Sequence, residues 1–165
     1  MNTVLQALEF AKEKHKGQVR KVSGDEYITH PLKVSYLLAS YKKSKNMNTL
    51  LCAALLHDTL EDTDTTFAEL SDIFGEFVST LVFELSNDNK EINEIGKRDY
   101  QLKKMIHMSS YGLTIKLVDR LANISDNPTD QMKKDTLYII QNLVAKRKLT
   151  KTQKNILIDI VPYCE

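Results

Sequence analysis

The chain has 165 residues, of which 42% are apolar and 27% charged, and its formal net charge is +1. That length fits one domain with a buried core, and the near-neutral charge does not indicate a dedicated nucleic-acid binder. The longest apolar run, residues 50–56, is too short to span a bilayer, and residues 1–18 lack a secretory signal pattern. Cys52 and Cys164 alone cannot build a disulfide framework or a cysteine zinc site, so we expect a cytoplasmic protein.

Apolar residues recur with helical spacing along most of the chain, and no segment alternates strictly at every second residue. The first predicted helix carries its apolar face through Ala11 and His15, and Gly17 ends it. A polar loop, residues 20–29, follows. Pro31 suits the first turn of a second helix, because its missing N–H has no partner there anyway.

A third predicted helix, residues 47–60, is apolar on most sides, so we expect it at the centre of the fold. Thr66 and Glu69 form a capping-box pattern that opens a short helix ending near Gly75. Further helices are predicted over residues 76–86, 94–107, 113–124, 129–146 and 151–161. The sequence therefore predicts an all-α fold in a single domain.

The end of the third predicted helix carries one histidine and three carboxylates in an apolar setting. These residues are His57, Asp58, Glu61 and Asp62. Burying such groups costs free energy unless they bind a metal, pair or face a wet cleft. On a helix, their spacings of three and four would let all of them border one cleft. The alternative is that the carboxylates form the solvated end of a helix, and composition alone does not decide between the two.

Two further residues are candidates for a metal site. His30 comes at the start of the second helix, and Asp119 lies in an apolar helical stretch. Two imidazoles and two carboxylates would form a mixed nitrogen–oxygen site, which suits Mn²⁺ or Fe²⁺, with Zn²⁺ as a further option. Alternatively, His30 is a turn or N-cap residue, and Asp119 pairs with Lys116 or Arg120 on a solvated face.

A basic stretch precedes His30. Its cations are Lys12, Lys14, Lys16, Arg20 and Lys21. Such a stretch is commonly a solvated helix face, and the alternative is a phosphate-binding rim in which an arginine grips phosphate through two hydrogen bonds. We expect His15 and His107 at solvated helix ends, where the helix dipole favours their cations. The sequence contains no glycine-rich phosphate loop, nucleophile elbow or His-Glu-x-x-His helix.

Five segments together resemble the hydrolase domain of the RelA/SpoT alarmone enzymes, most closely the stand-alone small alarmone hydrolases. They are residues 15–21 (HKGQVRK), 27–31 (YITHP), 53–63 (AALLHDTLEDT), 74–75 (FG) and 116–123 (KLVDRLAN). They follow the family's order at similar intervals over about residues 5–125. A set of five ordered motifs is far more specific than a single His-Asp pair.

The resemblance implies an HD-type phosphohydrolase domain over residues 1–165, with no synthetase domain and no nucleic-acid or membrane partner. It implies one Mn²⁺ held by His30, His57, Asp58 and Asp119. It also implies that Glu61 and Asp62 activate and orient the attacking water, and that Arg20, Lys21 and Asn123 contact the nucleotide. Enzymes of the family remove pyrophosphate from the 3′ position of ppGpp and pppGpp, so a guanine nucleotide is the implied substrate.

Two positions depart from the family's pattern. Ala122 stands where an aromatic residue or histidine is usual, and Ser125 stands where a basic residue is common. Some nucleotide contacts are therefore missing or come from elsewhere, with Lys90, Lys97 and Tyr138 as loose candidates. Two alternatives stay open: another nucleotide reaction, such as removal of the 2′-phosphate of NADPH, and a sensor that binds an alarmone without cleaving it.

Overall fold

The computed structural model describes residues 3–21 and 23–165 of the chain, and these residues form eleven α-helices and a final 3-10 helix. Within the described ranges, extended pairing is limited to one isolated antiparallel bridge between Val19 and Glu26. The all-α prediction is therefore confirmed. No helix in this part of the chain is long and apolar enough to cross a membrane.

The first of two structural units ends at Ser86. Its helices are α1 (Thr3–Lys14), α2 (Thr29–Tyr41), α3 (Met47–Leu56), α4 (Thr59–Asp62), α5 (Phe67–Phe74) and α6 (Glu76–Leu85). Helix α3 packs against α1, α2 and α6, and its residues 52–56 are all buried. Burial raises the pKa of the Cys52 thiol to about 11. The third predicted helix is therefore central to this unit, as expected.

The second unit begins at Asn87. Its helices are α7 (Asn89–Ile95), α8 (Lys97–His107), α9 (Ser110–Ile124), α10 (Asp130–Lys146) and α11 (Lys151–Ile160), followed by the 3-10 helix Val161–Cys164. Helix α9 packs against α11, and α10 packs against α8. Residues 112–119 of α9 are all buried, so Asp119 is a buried carboxylate and not part of a solvated face.

The third predicted helix is interrupted at His57 and Asp58, because α3 ends at Leu56 and α4 begins at Thr59. His57 Nδ1 donates to the carbonyl of Ala54 at 2.7 Å, and Thr59 Oγ1 donates to the carbonyl of Leu56 at 2.7 Å. Side-chain bonds of this kind compete with the backbone for the carbonyls of a continuing helix. His57 and Asp58 therefore lie in a turn between two helices and not on one helix face.

The helix predicted over residues 94–107 is also divided. Helix α7 ends at Ile95 and α8 begins at Lys97, and Gly96 between them has a φ of +84°. Glycine adopts this backbone conformation without side-chain strain, which explains the break. The other predicted helices begin and end close to the observed ones. Thr66 is the N-cap of α5 as predicted, because its Oγ1 accepts from the Glu69 N–H at 3.1 Å.

We predict that Thr150→Ala destabilises the fold through the loss of a helix cap. Thr150 Oγ1 accepts from the Gln153 N–H at 3.2 Å, and Gln153 Oε1 accepts from the Thr150 N–H at 2.9 Å. Loss of a cap of this type costs about 1 kcal/mol in the free energy of unfolding, which urea denaturation would measure. Thr152→Ala, inside the same helix, is the matched control. Equal losses in the two variants would contradict the capping role.

Candidate metal centre and active site

Three candidate metal ligands meet in the first unit, where α2 begins and α3 ends. His30 and His57 are 4% and 2% exposed, and their ring centroids lie 5.2 Å apart. Asp58 Oδ2 lies 2.9 Å from His57 Nε2 and 3.8 Å from His30 Nε2. Folding therefore brings these two imidazoles and this carboxylate together, and their role as metal ligands stays a prediction.

The hydrogen bond at Nδ1 of His57 determines what its Nε2 can do. A carbonyl oxygen only accepts, so Nδ1 must carry the proton that it shares with Ala54, and in the neutral ring Nε2 presents a lone pair. The Asp58 oxygen 2.9 Å away is also an acceptor. Two acceptors at that distance repel each other unless a proton or a cation lies between them. The residues present therefore fit a metal ion, and a histidine oriented through its other nitrogen is the common form of a metal ligand.

The carboxylate of Asp119, in the second unit, is oriented by two neighbours on its own helix. Its Oδ2 accepts from Lys116 Nζ at 3.1 Å, and its Oδ1 accepts from Asn123 Nδ2 at 2.8 Å. Lys116 and Asp119 are both buried, so this ion pair is not the solvated pair considered as the alternative. Each unit thus holds buried side chains of the kinds that bind metal ions, His30 and His57 in the first and Asp119 in the second.

Tyr27 contacts two of the acidic residues at once. Its hydroxyl donates to Asp58 Oδ2 at 2.6 Å and lies 3.5 Å from Asp62 Oδ2. The main chain of Asp62 is held as well, because Gln18 Nε2 donates to its carbonyl oxygen at 2.9 Å. The sequence motifs predict no separate role for Tyr27, although its place three residues before His30 is a signal that could have suggested one.

The pKa of the Asp62 carboxyl is raised above its ordinary value of 3.8. Desolvation is the main cause, and the negative charges of Asp58 and Glu61 add to it. The charge of His15 and the hydrogen bond from Tyr27 act in the opposite direction. A carboxyl whose pKa is moved toward neutrality is a better proton acceptor at working pH than one with an ordinary pKa.

His15 is buried, and the expectation of a solvated helix end was wrong for this residue. It is 2% exposed, its Nδ1 lies 2.8 Å from Gln18 Oε1, and its ring centroid lies 4.7 Å from that of Tyr27. The chain turns at Gly17, where φ is +81°, and this turn brings the following loop over the imidazole. By contrast, His107 is exposed at the last residue of α8, as predicted.

The basic stretch before His30 divides into residues with different surroundings. Lys14 Nζ pairs with Asp64 at 3.0 Å and with Glu69 at 3.2 Å, so it links α1 to the start of α5. The guanidinium carbon of Arg20 lies 6.0 Å from the ring centroid of Tyr27, and Lys21 is exposed. Lys14 therefore acts in the fold, whereas phosphate binding by Arg20 and Lys21 stays a prediction.

A cavity of about 340 Å³ lies within the second unit beside Asp119 and Asn123. Its lining carries four cationic side chains, Lys97, Arg98, Lys116 and Arg120, and two carboxylates, Asp119 and Asp135. Arg98 also stacks over the ring of Tyr138, with its guanidinium carbon 4.1 Å from the ring centroid. Cavities of about 300–1,000 Å³ are typical of small-molecule sites. The cavity thus has the size and the charge to admit part of an anionic ligand.

Comparison with known proteins identifies the family. The HD domain family matches residues 7–149. The MESH1 protein of Xenopus tropicalis, named guanosine-3′,5′-bis(diphosphate) 3′-pyrophosphohydrolase, is 40% identical over 124 residues, which cover 74% of this chain and 68% of that protein. A protein of Aquifex aeolicus with the same enzyme name is 41% identical over 130 residues, which cover 73% of this chain and 17% of that protein.

Comparison with a solved structure indicates the same family. A structure described as a metazoan orthologue of SpoT that hydrolyses ppGpp matches with a TM-score of 0.82 and 28% identity, covering 98% of this chain and 95% of that one. The chain therefore belongs to the HD-domain family of metal-dependent phosphohydrolases. Within that family it groups with the small stand-alone hydrolases of the MESH1 type. The resemblance and the HD-type fold predicted from the sequence are thereby confirmed.

We predict that Asp62→Asn raises the thermal stability of the metal-free protein at neutral pH. The pKa of this carboxyl is higher in the folded than in the unfolded state. As pH rises from the unfolded-state pKa to the folded-state pKa of Asp62, the fold loses stability, because the carboxyl ionises more readily in the unfolded chain. Below the unfolded-state pKa the carboxyl is protonated in both states and contributes no such loss. Asparagine does not ionise, so the gain in Tm should be present at about pH 7 and shrink toward about pH 4. Unfolding scans with chelator would measure it.

Asp64→Asn is the matched control, because its carboxyl has the opposite shift. The hydrogen bond and charge of Lys14 lower the pKa of Asp64. Its ionised form therefore stabilises the fold above the unfolded-state pKa, and this contribution is lost as pH falls through the folded-state value. The Asn variant should lose stability at neutral pH. A change of the same sign in both variants would contradict the assignment.

Proposed function

We propose that this protein hydrolyses the 3′-pyrophosphate of ppGpp and pppGpp, with Mn²⁺ as its metal and Fe²⁺ or Zn²⁺ as alternatives. The metal dependence is carried by one observation, the pair of acceptors formed by Nε2 of the buried His57 and Oδ2 of the partly buried Asp58 at 2.9 Å. The substrate is supported by the names of relatives at about 40% identity, which are those of guanosine-3′,5′-bis(diphosphate) 3′-pyrophosphohydrolases. The products are GDP or GTP and pyrophosphate.

The proposed metal ligands are His30, His57, Asp58 and Asp119. A mixed set of imidazoles and carboxylates favours Mn²⁺ or Fe²⁺ over metals that prefer thiolates. When bound, a divalent cation polarises the phosphate and water and offsets negative charge in the transition state. The chain orients two of its ligands through hydrogen bonds at Ala54 and Lys116, which supports a site prepared before the metal arrives.

Glu61, together with Asp62, is the proposed acceptor of the proton from the attacking water. The water oxygen attacks the phosphorus that carries the ribose 3′ oxygen, and the bond between that phosphorus and the 3′ oxygen breaks. Pyrophosphate departs with the water oxygen, and the 3′ oxygen takes a proton to become the hydroxyl of GDP. The raised pKa of Asp62 supports its share in this proton transfer.

The proposed nucleotide contacts are Arg20, Lys21 and Asn123. Arg20 is supported by its closeness to Tyr27, which touches Asp58. Asn123 is supported by its place in the lining of the cavity that also contains Lys97. We further propose that residues 1–165 act as one cytoplasmic domain on a small nucleotide, without a nucleic-acid or membrane partner.

Incubation of the purified protein with ppGpp, with Mn²⁺ or with chelator, tests the proposed reaction. We expect GDP and pyrophosphate with metal and intact ppGpp with chelator, as separated by anion-exchange chromatography. Intact ppGpp under every condition would contradict the proposal. Release of phosphate from NADPH would then indicate another nucleotide phosphohydrolase, and binding of ppGpp without cleavage would indicate a sensor.

Two substitutions should separate metal binding from proton transfer. Glu61→Gln should lower kcat by about 10²–10⁴-fold, the usual contribution of a general base, and leave Mn²⁺ affinity unchanged in calorimetric titration. Asp58→Asn should weaken Mn²⁺ binding itself. Glu76→Gln, at an exposed position on α6, is the control for charge removal alone. Full turnover in the Glu61→Gln variant would exclude the proposed role of Glu61.

A further inference from the structure

We propose that Tyr27 is a positioning residue that holds Asp58 and Asp62 in fixed relation through its hydroxyl. This inference rests on the proposed function, because it assumes that Asp58 binds the metal and that Asp62 helps to activate water. The hydroxyl donates to Asp58 Oδ2 at 2.6 Å and lies 3.5 Å from Asp62 Oδ2. The hydroxyl of Tyr27 therefore touches both acidic residues through a single oxygen atom.

The two contacts of the hydroxyl are unequal, and the difference defines its role. A phenol has one proton to donate. At 2.6 Å the bond to Asp58 has the length of a charge-assisted O–H···O⁻ bond, which is among the stronger hydrogen bonds in proteins. The contact with Asp62 is at the limit of hydrogen-bond distance. The hydroxyl therefore fixes the rotamer of Asp58 and limits how close Asp62 can approach.

The ring of Tyr27 is itself held in place by the preceding loop. Its backbone N–H donates to the carbonyl of Gln18 at 2.9 Å, and its face packs against the buried ring of His15 at 4.7 Å between centroids. His15 Nδ1 in turn lies 2.8 Å from Gln18 Oε1. The phenol therefore has little freedom to move away from Asp58.

Gln18 extends the same arrangement to the main chain of α4. Its Nε2 donates to the carbonyl oxygen of Asp62 at 2.9 Å. Asp62 thus contacts the preceding loop through two of its groups: its carboxylate lies near the Tyr27 hydroxyl, and its backbone carbonyl accepts from Gln18. His15 and Gln18 take no part in the proposed reaction itself. Their role in this network is to hold the ring of Tyr27 and the main chain of Asp62 in place.

Tyr27→Phe tests the role of the hydroxyl, because it keeps the ring and its packing on His15. Loss of a residue that orients a metal ligand typically costs about 10–100-fold in metal affinity or activity. We expect weaker Mn²⁺ binding to the metal-free variant by calorimetry, and a lower kcat on ppGpp with KM nearly unchanged. Tyr36→Phe, in which the altered residue is 75% exposed on α2, is the matched control.

A double substitution separates positioning from general loss of stability. If Tyr27 acts through Asp62 as well as Asp58, Tyr27→Phe should lower kcat less in an Asp62→Asn background than in the wild type, because residues in one network are not additive. Gln18→Leu keeps the phenol but removes the bond to the Asp62 carbonyl and the contact with His15, so it should lower kcat and weaken Mn²⁺ binding less than Tyr27→Phe does.

The outcomes that overturn the inference differ from those that overturn the proposed function. Wild-type Mn²⁺ affinity and kcat in Tyr27→Phe would exclude a positioning role. A raised KM with unchanged kcat and Mn²⁺ affinity would instead make the hydroxyl a substrate contact, which also overturns it. A wild-type protein that binds Mn²⁺ but leaves ppGpp intact would refute the substrate alone, and the Mn²⁺ affinities would still decide the role of Tyr27. If the wild type binds none of Mn²⁺, Fe²⁺ and Zn²⁺, both proposals are wrong.

Discussion

The first unit depends on a buried imidazole whose Nδ1 is committed to a main-chain carbonyl. The bond from His57 to Ala54 ends α3 in its most buried part and turns Nε2 toward the carboxylate of Asp58. Helix α3 is packed on α1, α2 and α6, which fixes the point at which His57 follows it. A proton or a cation between Nε2 and the Asp58 carboxylate removes the repulsion between these two acceptors, and the geometry of this unit therefore fits a metal ion.

The same physical constraint acts on Asp119 in the second unit. A buried carboxylate is costly unless donors satisfy its oxygens, and Lys116 and Asn123 each give one hydrogen bond from the same helix. A carboxylate can accept about four hydrogen bonds, so two donors fix its orientation without exhausting its capacity as a ligand. Both of these bonds come from α9 itself, through residues three before and four after Asp119 in the chain.

Motifs of the alarmone hydrolases therefore serve two purposes in this chain. Some of their residues present ligand atoms or carboxylates, as His57 and Asp58 do. Others build the surroundings that orient them: His15 supports the ring of Tyr27, and Gln18 holds the carbonyl of Asp62. Lys14 belongs to neither group, because its ion pairs with Asp64 and Glu69 join parts of the fold. A basic stretch next to an active site is therefore not uniformly a substrate-binding surface.

Helical periodicity, capping and motif order are local or ordered features of the chain. They were enough to predict the helical class, most helix positions, the cap at Thr66 and the candidate ligands from His30 to Asp119. The tertiary structure alone decided the burial of His15, the contact between Tyr27 and Asp58, and the environment that raises the pKa of Asp62. The turn at His57 also differed from the predicted helix, since side-chain bonds to carbonyls compete with helical periodicity. Contacts such as that between Tyr27 and Asp58 join residues far apart in the chain, and their energies depend on packing and desolvation that no local pattern encodes.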